Sequence, residues 1–211
     1  MSSIHSFFIA TCYDAAMRRC ERLCLGEWRR QLLAPLSGAV LEIGAGTGIN
    51  LHCYPPDLTS LVLGEPDAHM RRKLQKRVDR CGRTGVRISA CGAEKLPFAD
   101  ESFDAAVSTL VLCSVQDIDR TLQELLRVLR PGGSLVLLEH VGAEGHSSLR
   151  RWQRRLEPVW RCLAGNCHLT RDTEERLAAA GFIPDLKSAA MLGAPPFARP
   201  MIKGTARKPL T

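Results

Sequence analysis

Three features of the sequence predict an α/β fold: a doubly wound, mostly parallel seven-stranded sheet with helices on both faces and an inserted helix after strand 5. Short apolar runs alternate with amphipathic stretches from residue 38 to 141. A glycine turn, Gly44-Ala45-Gly46-Thr47-Gly48, directly follows the first of those runs. After Val141 the alternation breaks into a long arginine-rich segment before two weaker strand-like runs close the chain. Regular strand and helix alternation implies right-handed crossovers, so a ligand is expected at the carboxyl ends of the strands, where the strand order reverses.

Residues 10–33 carry Met17, Cys20, Cys24 and Trp28 near helical spacing, and Ala34-Pro35-Leu36-Ser37-Gly38 ends that helix. Strand 1 follows at Val40–Ile43, then the glycine loop and a short helix that stops before Tyr54-Pro55-Pro56. Leu61–Glu65 reads as a second buried strand, and Pro66-Asp67 opens a helix through about Arg80. The basic residues of that helix, Arg71, Arg72, Lys73, Lys76 and Arg77, are expected on a solvated face. Strand 3 is Val86–Ala90, and strand 4, Phe103–Leu110, is apolar throughout most of its length, as a central parallel strand should be. A helix from about Asp117 to Leu129 places Leu122, Leu125, Leu126 and Leu129 on one stripe. Arg130-Pro131-Gly132-Gly133 then turns into strand 5, Ser134–Glu139.

The inserted helix is expected over His146–Leu163, with Trp152, Leu156, Val159 or Trp160, and Leu163 on one side and arginines largely on the other. Thr170-Arg171-Asp172 starts a further helix ended by Gly181, and strands around 182–190 and 201–206 complete the sheet. The expectation is one domain: a helical cap over 1–37, a ligand-binding core over 38–141, an inserted lid over 142–170 and a closing helix and strands over 171–211.

The 211 residues are enough to bury about 70% of the unfolded surface in one such domain. No apolar run approaches the roughly 20 residues of a membrane span, and Ile4–Ala10 lacks the pattern of a signal peptide. A soluble cytoplasmic protein is the expectation. Nine cysteines, an odd number without C-x-x-C pairs, argue for reduced thiols and against a zinc site, so no metal is expected. The net charge of +7 is concentrated at Arg150, Arg151, Arg154, Arg155 and Arg161, with Glu157 the one acid among them. Such a cluster suits an anionic substrate, a nucleic acid or an acidic membrane surface. Without aromatic residues interleaved on a basic strand, no nucleic-acid partner is expected, and peripheral membrane contact is the lesser reading.

The glycine spacing is G-x-G-x-G, with Ile49 where dinucleotide folds place their last glycine, which favours a nucleoside ligand without a pyrophosphate over a hydride-transfer cofactor. Glu65 ends strand 2, 21 residues after Gly44, the distance at which an acid meets ribose hydroxyls. Backbone N–H groups at Ala93 and Glu94, in the loop after strand 3, offer a flat crevice. Strand 4 ends at Leu110-Val111-Leu112-Cys113, beneath the centre of the expected site.

Leu41-Glu42-Ile43-Gly44-Ala45-Gly46-Thr47-Gly48, Glu65-Pro66, Glu94-Lys95-Leu96-Pro97-Phe98 with Ser102-Phe103-Asp104, and Arg127-Val128-Leu129-Arg130-Pro131-Gly132-Gly133 occur in this order. The run resembles the class I S-adenosylmethionine-dependent methyltransferases, whose sheet is Rossmann-like. The resemblance implies S-adenosylmethionine as cofactor. It implies Glu42, Gly44, Ala45, Gly46, Gly48 and Asn50 around the methionine part, Glu65 and Pro66 at the ribose, Gly92, Ala93 and Glu94 at the adenine, Leu110 beneath, and Tyr13 covering the site from the N-terminal helix. Where the family often has an aspartate this chain has Gly92, so the adenine amino contact passes to Glu94 or to backbone.

A narrower resemblance rests on Thr109-Leu110-Val111-Leu112-Cys113-Ser114-Val115, Leu138-Glu139-His140-Val141, Leu156-Glu157-Pro158-Val159-Trp160 and Cys167-His168-Leu169-Thr170-Arg171. These segments are similar to the alkyl thiol S-methyltransferases of the endoplasmic reticulum and their soluble relatives. The implied acceptor is a small, fairly apolar thiol. N-methylation of a lipid amine, O-methylation of a small metabolite and a non-catalytic nucleoside-binding module are the alternatives.

A thiol reacts as thiolate, which calls for a base or a positive field. His140 and His168 are the candidate bases, each weighed against a packing role, and Cys113, Trp152 and Trp160 are the candidate substrate contacts. Cys113 is also a plausible small core residue, and the tryptophans could simply pack on the sheet.

Overall fold

A computed structural model describes residues 3–145 and 147–210, and side chains from Ala10 onward. His146, the expected first residue of the inserted helix, lies outside the described residues, as do Met1, Ser2 and Thr211. The strands are β1 (Ala39–Ile43), β2 (Ser60–Gly64), β3 (Val86–Ser89), β4 (Phe103–Thr109), β5 (Leu129–His140), β6 (Ile183–Ala190) and β7 (Pro200–Arg207). They form one seven-stranded sheet in the order β3-β2-β1-β4-β5-β7-β6. β1 to β5 run parallel, while β7 pairs antiparallel with both β5 and β6. The order reverses between β1 and β4, and the glycine loop leaves β1 at that point.

The helices are α1 (Ser3–Cys20), α2 (Gly26–Leu33), α3 (Ala68–Cys81), α4 (Ile118–Val128), α5 (Ser148–Leu163) and α6 (Thr173–Ala180), with one π-helical turn, Glu21–Leu25, joining α1 to α2. Residues alternate across the strands, so Leu41 and Ile43 face one side with Leu122 and Leu125 of α4 and Leu177 of α6. Val40, Leu61 and Leu63 face the other with Leu33 of α2 and Leu74 of α3. A third cluster joins Leu25, Leu138 and Met201 to Leu156 and Trp160 of α5.

Four local expectations change. The turn after the glycine loop is a single 3-10 turn, Leu51–Cys53, because Tyr54-Pro55-Pro56 follows at once. β5 begins at Leu129 rather than Ser134, pairing Phe103 with Leu129 before a register shift admits the glycine pair. α6 starts at Thr173, with Asp172 at its N-cap position, since the Arg171 side chain is spent on the loop after β4.

The fourth change concerns α5. Its inward face is polar in the first two turns, before Leu156 and Trp160: Gln153 accepts from Ala143 N at 2.7 Å and donates to Phe197 O at 2.9 Å, and Arg150 donates to Asp172 and Thr170 O. These bonds tie the helix to the loops at either end. Trp152 is therefore turned outward and 56% exposed, with the Arg155 guanidinium 6.0 Å from its ring, and Val159 and Leu163 are exposed on the same side. Trp152 does not line the site; Trp160 faces inward, its ring edge-on to Phe197 at 5.3 Å.

Candidate active site

The first wall is built where β1 and β2 end. Gly44 and Gly46 both take left-handed backbone, at φ +56° and +57°. A Cβ on Gly44 would lie 2.6 Å from Val111 Cγ2, whereas one on Gly46 would meet nothing nearer than Gly44 O at 3.9 Å. The first glycine thus lets the loop close on the segment after β4, and the second leaves open space above the strand ends. Ala45 N–H donates to Gly64 O at 2.9 Å, and Gly48 N–H to Ala45 O at 2.9 Å.

Glu65, 6% exposed, accepts from Gly46 N–H and Asp67 N–H, each at 2.8 Å, one on each carboxylate oxygen. Burial raises its pKa against those two bonds. A carboxylate offers about four lone-pair positions, so further acceptor capacity remains. Pro66 follows on the surface, its carbonyl held by Arg71.

Glu42 and Asn50 sit behind the loop, not in front of it. Asn50 Nδ2 donates to Glu42 Oε1 at 2.8 Å and Tyr54 Oη to Glu42 Oε2 at 2.7 Å. Arg29, 2% exposed, donates to Asn50 Oδ1 at 2.8 Å and Thr109 Oγ1 at 2.9 Å, and pairs with Glu21 at 3.1 Å. Arg29, Tyr54 and Thr109 are supports the sequence reading missed; Arg29 looks in sequence like any arginine on a helix.

Of the α3 cations, Arg72 and Lys76 are exposed as expected, but Arg71, Lys73 and Arg77 are drawn into contacts. Arg77 donates to Thr47 Oγ1 at 3.0 Å and pairs with Asp14, which itself accepts from Thr47 Oγ1 at 2.7 Å. Lys73 Nζ donates to Ala10 O at 2.6 Å. These bonds lay α1 across the glycine loop and leave Tyr13 half-buried, its pKa pushed up to about 12 by burial, with Arg29, Glu21 and Cys113 near enough to act on it.

The loop after β3 is closed by Glu94, whose Oε1 accepts from Gln116 N at 3.0 Å. A Cβ on Gly92 would come within 3.3 Å of Glu94 Oε2, so the missing side chain is what makes room for this carboxylate. Ala93 is buried beside it.

The far wall is the loop after β4. Leu110 holds φ +61°, a conformation disfavoured for leucine, and its N–H donates to Leu138 O at 2.9 Å. Glu139, fully buried, organises the next residues. Its Oε1 accepts from Ser108 Oγ at 2.7 Å, Val111 N at 3.0 Å and Leu112 N at 3.1 Å, and its Oε2 from Cys113 N at 3.2 Å. Arg171 donates to the carbonyls of Leu112 and Val115 from the other side. The signal for Glu139 was present in the sequence, an acid closing an apolar strand, as Glu65 closes β2.

His140 and Cys113 meet beyond that loop. His140 is 2% exposed; its Nδ1 lies 3.8 Å from Cys167 Sγ and its Nε2 has no hydrogen-bond partner. Cys113, also buried, has its sulfur 3.5 Å from Ser114 Oγ and near enough to Cys167 for each thiol to act on the other's proton affinity. His168 is tied elsewhere, with Nδ1 3.5 Å from Glu157 Oε1 and its backbone N–H on Cys113 O at 2.8 Å. Burial and the neighbouring Arg171 and Arg161 hold its pKa below the ordinary value.

The glycine loop, Glu65, Glu94, Leu110, Cys113 and His140 all lie along one edge of the sheet, the carboxyl ends of its parallel strands, with α1 laid over the glycine loop. Its β1–β3 side offers a carboxylate and backbone groups suited to a nucleoside. Its β5 side offers thiols and an unpartnered imidazole nitrogen.

A family model described as a methyltransferase domain matches residues 41–137. Thiol S-methyltransferase TMT1B of Rattus norvegicus is 41% identical over 145 residues, 68% of this chain and 59% of that protein. The Homo sapiens protein of the same name is 38% identical over 164 residues, 73% of this chain and 67% of its own length. The chain thus spans about three fifths of the rat relative. Among solved structures, a SAM-dependent methyltransferase from Thermotoga maritima superposes with a TM-score of 0.68 over 97% of this chain and 98% of that one, at 24% identity, a likeness of fold.

Proposed function

Because the chain belongs to the class I S-adenosylmethionine-dependent methyltransferases, we propose that it methylates the sulfur of a small, fairly apolar thiol. The observation that carries the thiol reading is His140 Nε2, buried and unpartnered at the carboxyl end of β5, across the site from the glycine loop. The identity with thiol S-methyltransferases supports the same reading.

The residues present fit S-adenosylmethionine. The open space above Gly46 would be filled by any Cβ, and Glu65 keeps lone pairs for two ribose hydroxyls. Glu94 beside Gly92 is placed to accept from the adenine amino group, with Pro66, Ala93 and Leu110 walling the nucleoside. Gly44, Ala45 and Gly48 shape the methionine side of the cradle, which Glu42 and Asn50 hold from behind. Tyr13 covers it from α1. When bound, the sulfonium supplies an activated methyl group for in-line displacement, so the protein's part is positioning and proton removal.

On the acceptor side, the thiol proton is taken by His140, because a thiol of pKa about 8.5 is mostly protonated at neutral pH. Cys113 and Trp160 bound the acceptor, and the arginines near the loop, Arg171 first, add a field that favours the thiolate. His168 is the second candidate base. The chain is read as one domain, with 1–37 as cap, 38–141 as cofactor core, 142–170 as lid over the acceptor and 171–211 closing the sheet. Labelled cofactor offered with a panel of thiols, amines and phenols tests the reading. Methylation of amines or lipids alone would sink it.

A further inference from the structure

The sulfur cluster at the acceptor end does more than line a wall. Cys113 lies in the loop after β4 and Cys167 in the connection between α5 and α6, 54 residues later. Their backbones are joined beside the thiols: His168 N–H donates to Cys113 O at 2.8 Å and Asn166 Nδ2 to Ser114 O at 2.8 Å. The two thiols are near enough to act on each other's proton affinity, and Cys167 Sγ lies 3.8 Å from His140 Nδ1. A disulfide needs Cβ atoms roughly 3.5–4.5 Å apart. Segments bonded to each other one residue from each cysteine meet that need with a small approach of the two loops, side-chain rotation then aiming the sulfurs.

The pair is also chemically asymmetric. Cys167 is partly exposed and Cys113 is buried, so a small solute meets Cys167 first. The Cys113 thiol and His140 Nδ1 both bear on the Cys167 sulfur and push its pKa down, while the Cys167 neighbour and burial push Cys113 up. Thiolate character therefore resides on Cys167. Cys20 and Cys24 give the contrast: one helical turn apart, both are raised by burial, and neither offers a thiolate.

We propose that Cys113 and Cys167 are a redox-active pair, in which a hydroperoxide oxidises Cys167, Cys113 closes a disulfide onto it, and closure switches off the acceptor end of the site. In the first step the Cys167 thiolate attacks the peroxide, the O–O bond breaks, and Cys167 sulfenic acid and hydroxide form. In the second the Cys113 sulfur displaces the sulfenic oxygen, which leaves as water with the Cys113 proton, and the S–S bond forms. Two electrons pass from the two sulfurs to the peroxide. Closure brings the sulfurs to about 2.05 Å, drags the Cys113 loop toward the α5–α6 connection and takes from His140 Nδ1 its thiolate neighbour. The switching effect rests on the acceptor reading above; the disulfide itself does not.

The test treats fully reduced protein with hydrogen peroxide, blocks remaining thiols with an alkylating agent and maps peptides by mass spectrometry. The expected product is a linked peptide pair containing Cys113 and Cys167, cleaved by a phosphine reductant; a thiol reductant is avoided because it would itself be an acceptor. In Cys113→Ser, a sulfenic acid at Cys167 is expected to persist and be trapped by a dione; in Cys167→Ser, none should form at Cys113. Thiol methylation by the oxidised protein should fall about tenfold or more and return on phosphine treatment, while S-adenosylhomocysteine binding by calorimetry is kept. Both cysteines recovered as alkylated thiols would overturn the pair, and linkage with undiminished methylation would overturn the switch. Peptide mapping needs no acceptor, so a missing linkage and a missing thiol methylation fail separately.

Discussion

Replacing Gly46 and Gly44 one at a time with alanine separates the cradle from the scaffold. Both glycines hold left-handed backbone, so each substitution carries a strain of about 1–2 kcal/mol. For Gly46→Ala the new methyl finds open space, with Gly44 O 3.9 Å away, and the cost ends there. For a chain of this length that lowers the unfolding midpoint by about 2–8 °C. For Gly44→Ala the methyl lies 2.6 Å from Val111 Cγ2 and 2.8 Å from Cγ1, so turning the valine only exchanges one clash for the other. Overpacking adds about 1–3 kcal/mol, for a total of about 2–5 kcal/mol.

The ligand response should run in the opposite order of specificity. At S-adenosylhomocysteine about 100-fold above its Kd, the wild-type protein gains about 2.7 kcal/mol of apparent stability. The Gly46 methyl occupies the space assigned to the ligand, and a tenfold loss of affinity cuts that gain to about 1.4 kcal/mol at the same concentration. Thermal unfolding of both variants, with and without S-adenosylhomocysteine, reads the two quantities together. A Gly46→Ala protein that is mildly destabilised yet keeps the full ligand-induced shift would refute the placement of the cofactor over this loop.

Other perturbations probe the remaining assignments. Glu65→Ala should weaken S-adenosylhomocysteine binding by about 1.5–3 kcal/mol, the value of a hydrogen bond to a charged group, and unchanged calorimetry would move the ribose elsewhere. His140→Gln should slow thiol methylation mainly below the acceptor's own pKa of about 8.5, where a base is needed; a pH–rate profile parallel to wild type would leave it a packing residue. Burial holds the Glu139 carboxyl above its ordinary pKa, so the native protein binds this proton more tightly than the unfolded chain does. Its stabilising contribution is therefore fully present below the ordinary carboxylate pKa of about 4.3 and is lost as pH rises through the native value. Urea unfolding should accordingly show wild type gaining on Glu139→Gln as pH falls through that window, and a constant difference would contradict the burial argument. Val111→Ala should recover about 1–3 kcal/mol of the Gly44→Ala loss in the double variant, and strict additivity would mean that the loop had moved away from the valine instead.

The sheet was legible because its causes are local. Apolar runs of strand length, the stripe of Leu122 and Leu125 on α4 and the Asp67 cap of α3 act within a few residues of themselves. The glycine loop and the acid ending β2 were legible for the same reason, since each is a short pattern. What the sequence hid depends on neighbours brought in from far away. Arg29 becomes a buried support only because α2 packs under the glycine loop, where Asn50 and Thr109 accept from it. Arg77 reads as a solvated cation until α1 brings Asp14 to it. The α5 stripe held at Leu156 and Trp160 but misled at Trp152, Val159 and Leu163, because Arg150 and Gln153 are drawn inward by carbonyls of flanking loops.

The two halves of the site are mechanically one. Val111 fills the space beside Gly44, so the loop after β4 is pressed against the cradle by van der Waals contact. The N–H of that same residue is fixed to Glu139 Oε1, and the neighbouring Cys113 N–H to Glu139 Oε2. A shift of the glycine loop is thus carried through Val111 onto a segment whose other end bears the Cys113 thiol and, through it, Cys167 and His140. Because Glu139 is buried and accepts every one of these bonds, the segment has little freedom to absorb such a shift locally. Leu110, held in left-handed backbone at the start of this loop, stores strain between β4 and the segment fixed by Glu139. Filling the cradle and arranging the acceptor end are for this reason not independent events: a ligand that seats against Gly44 and Gly46 also sets where the thiol-bearing loop stands.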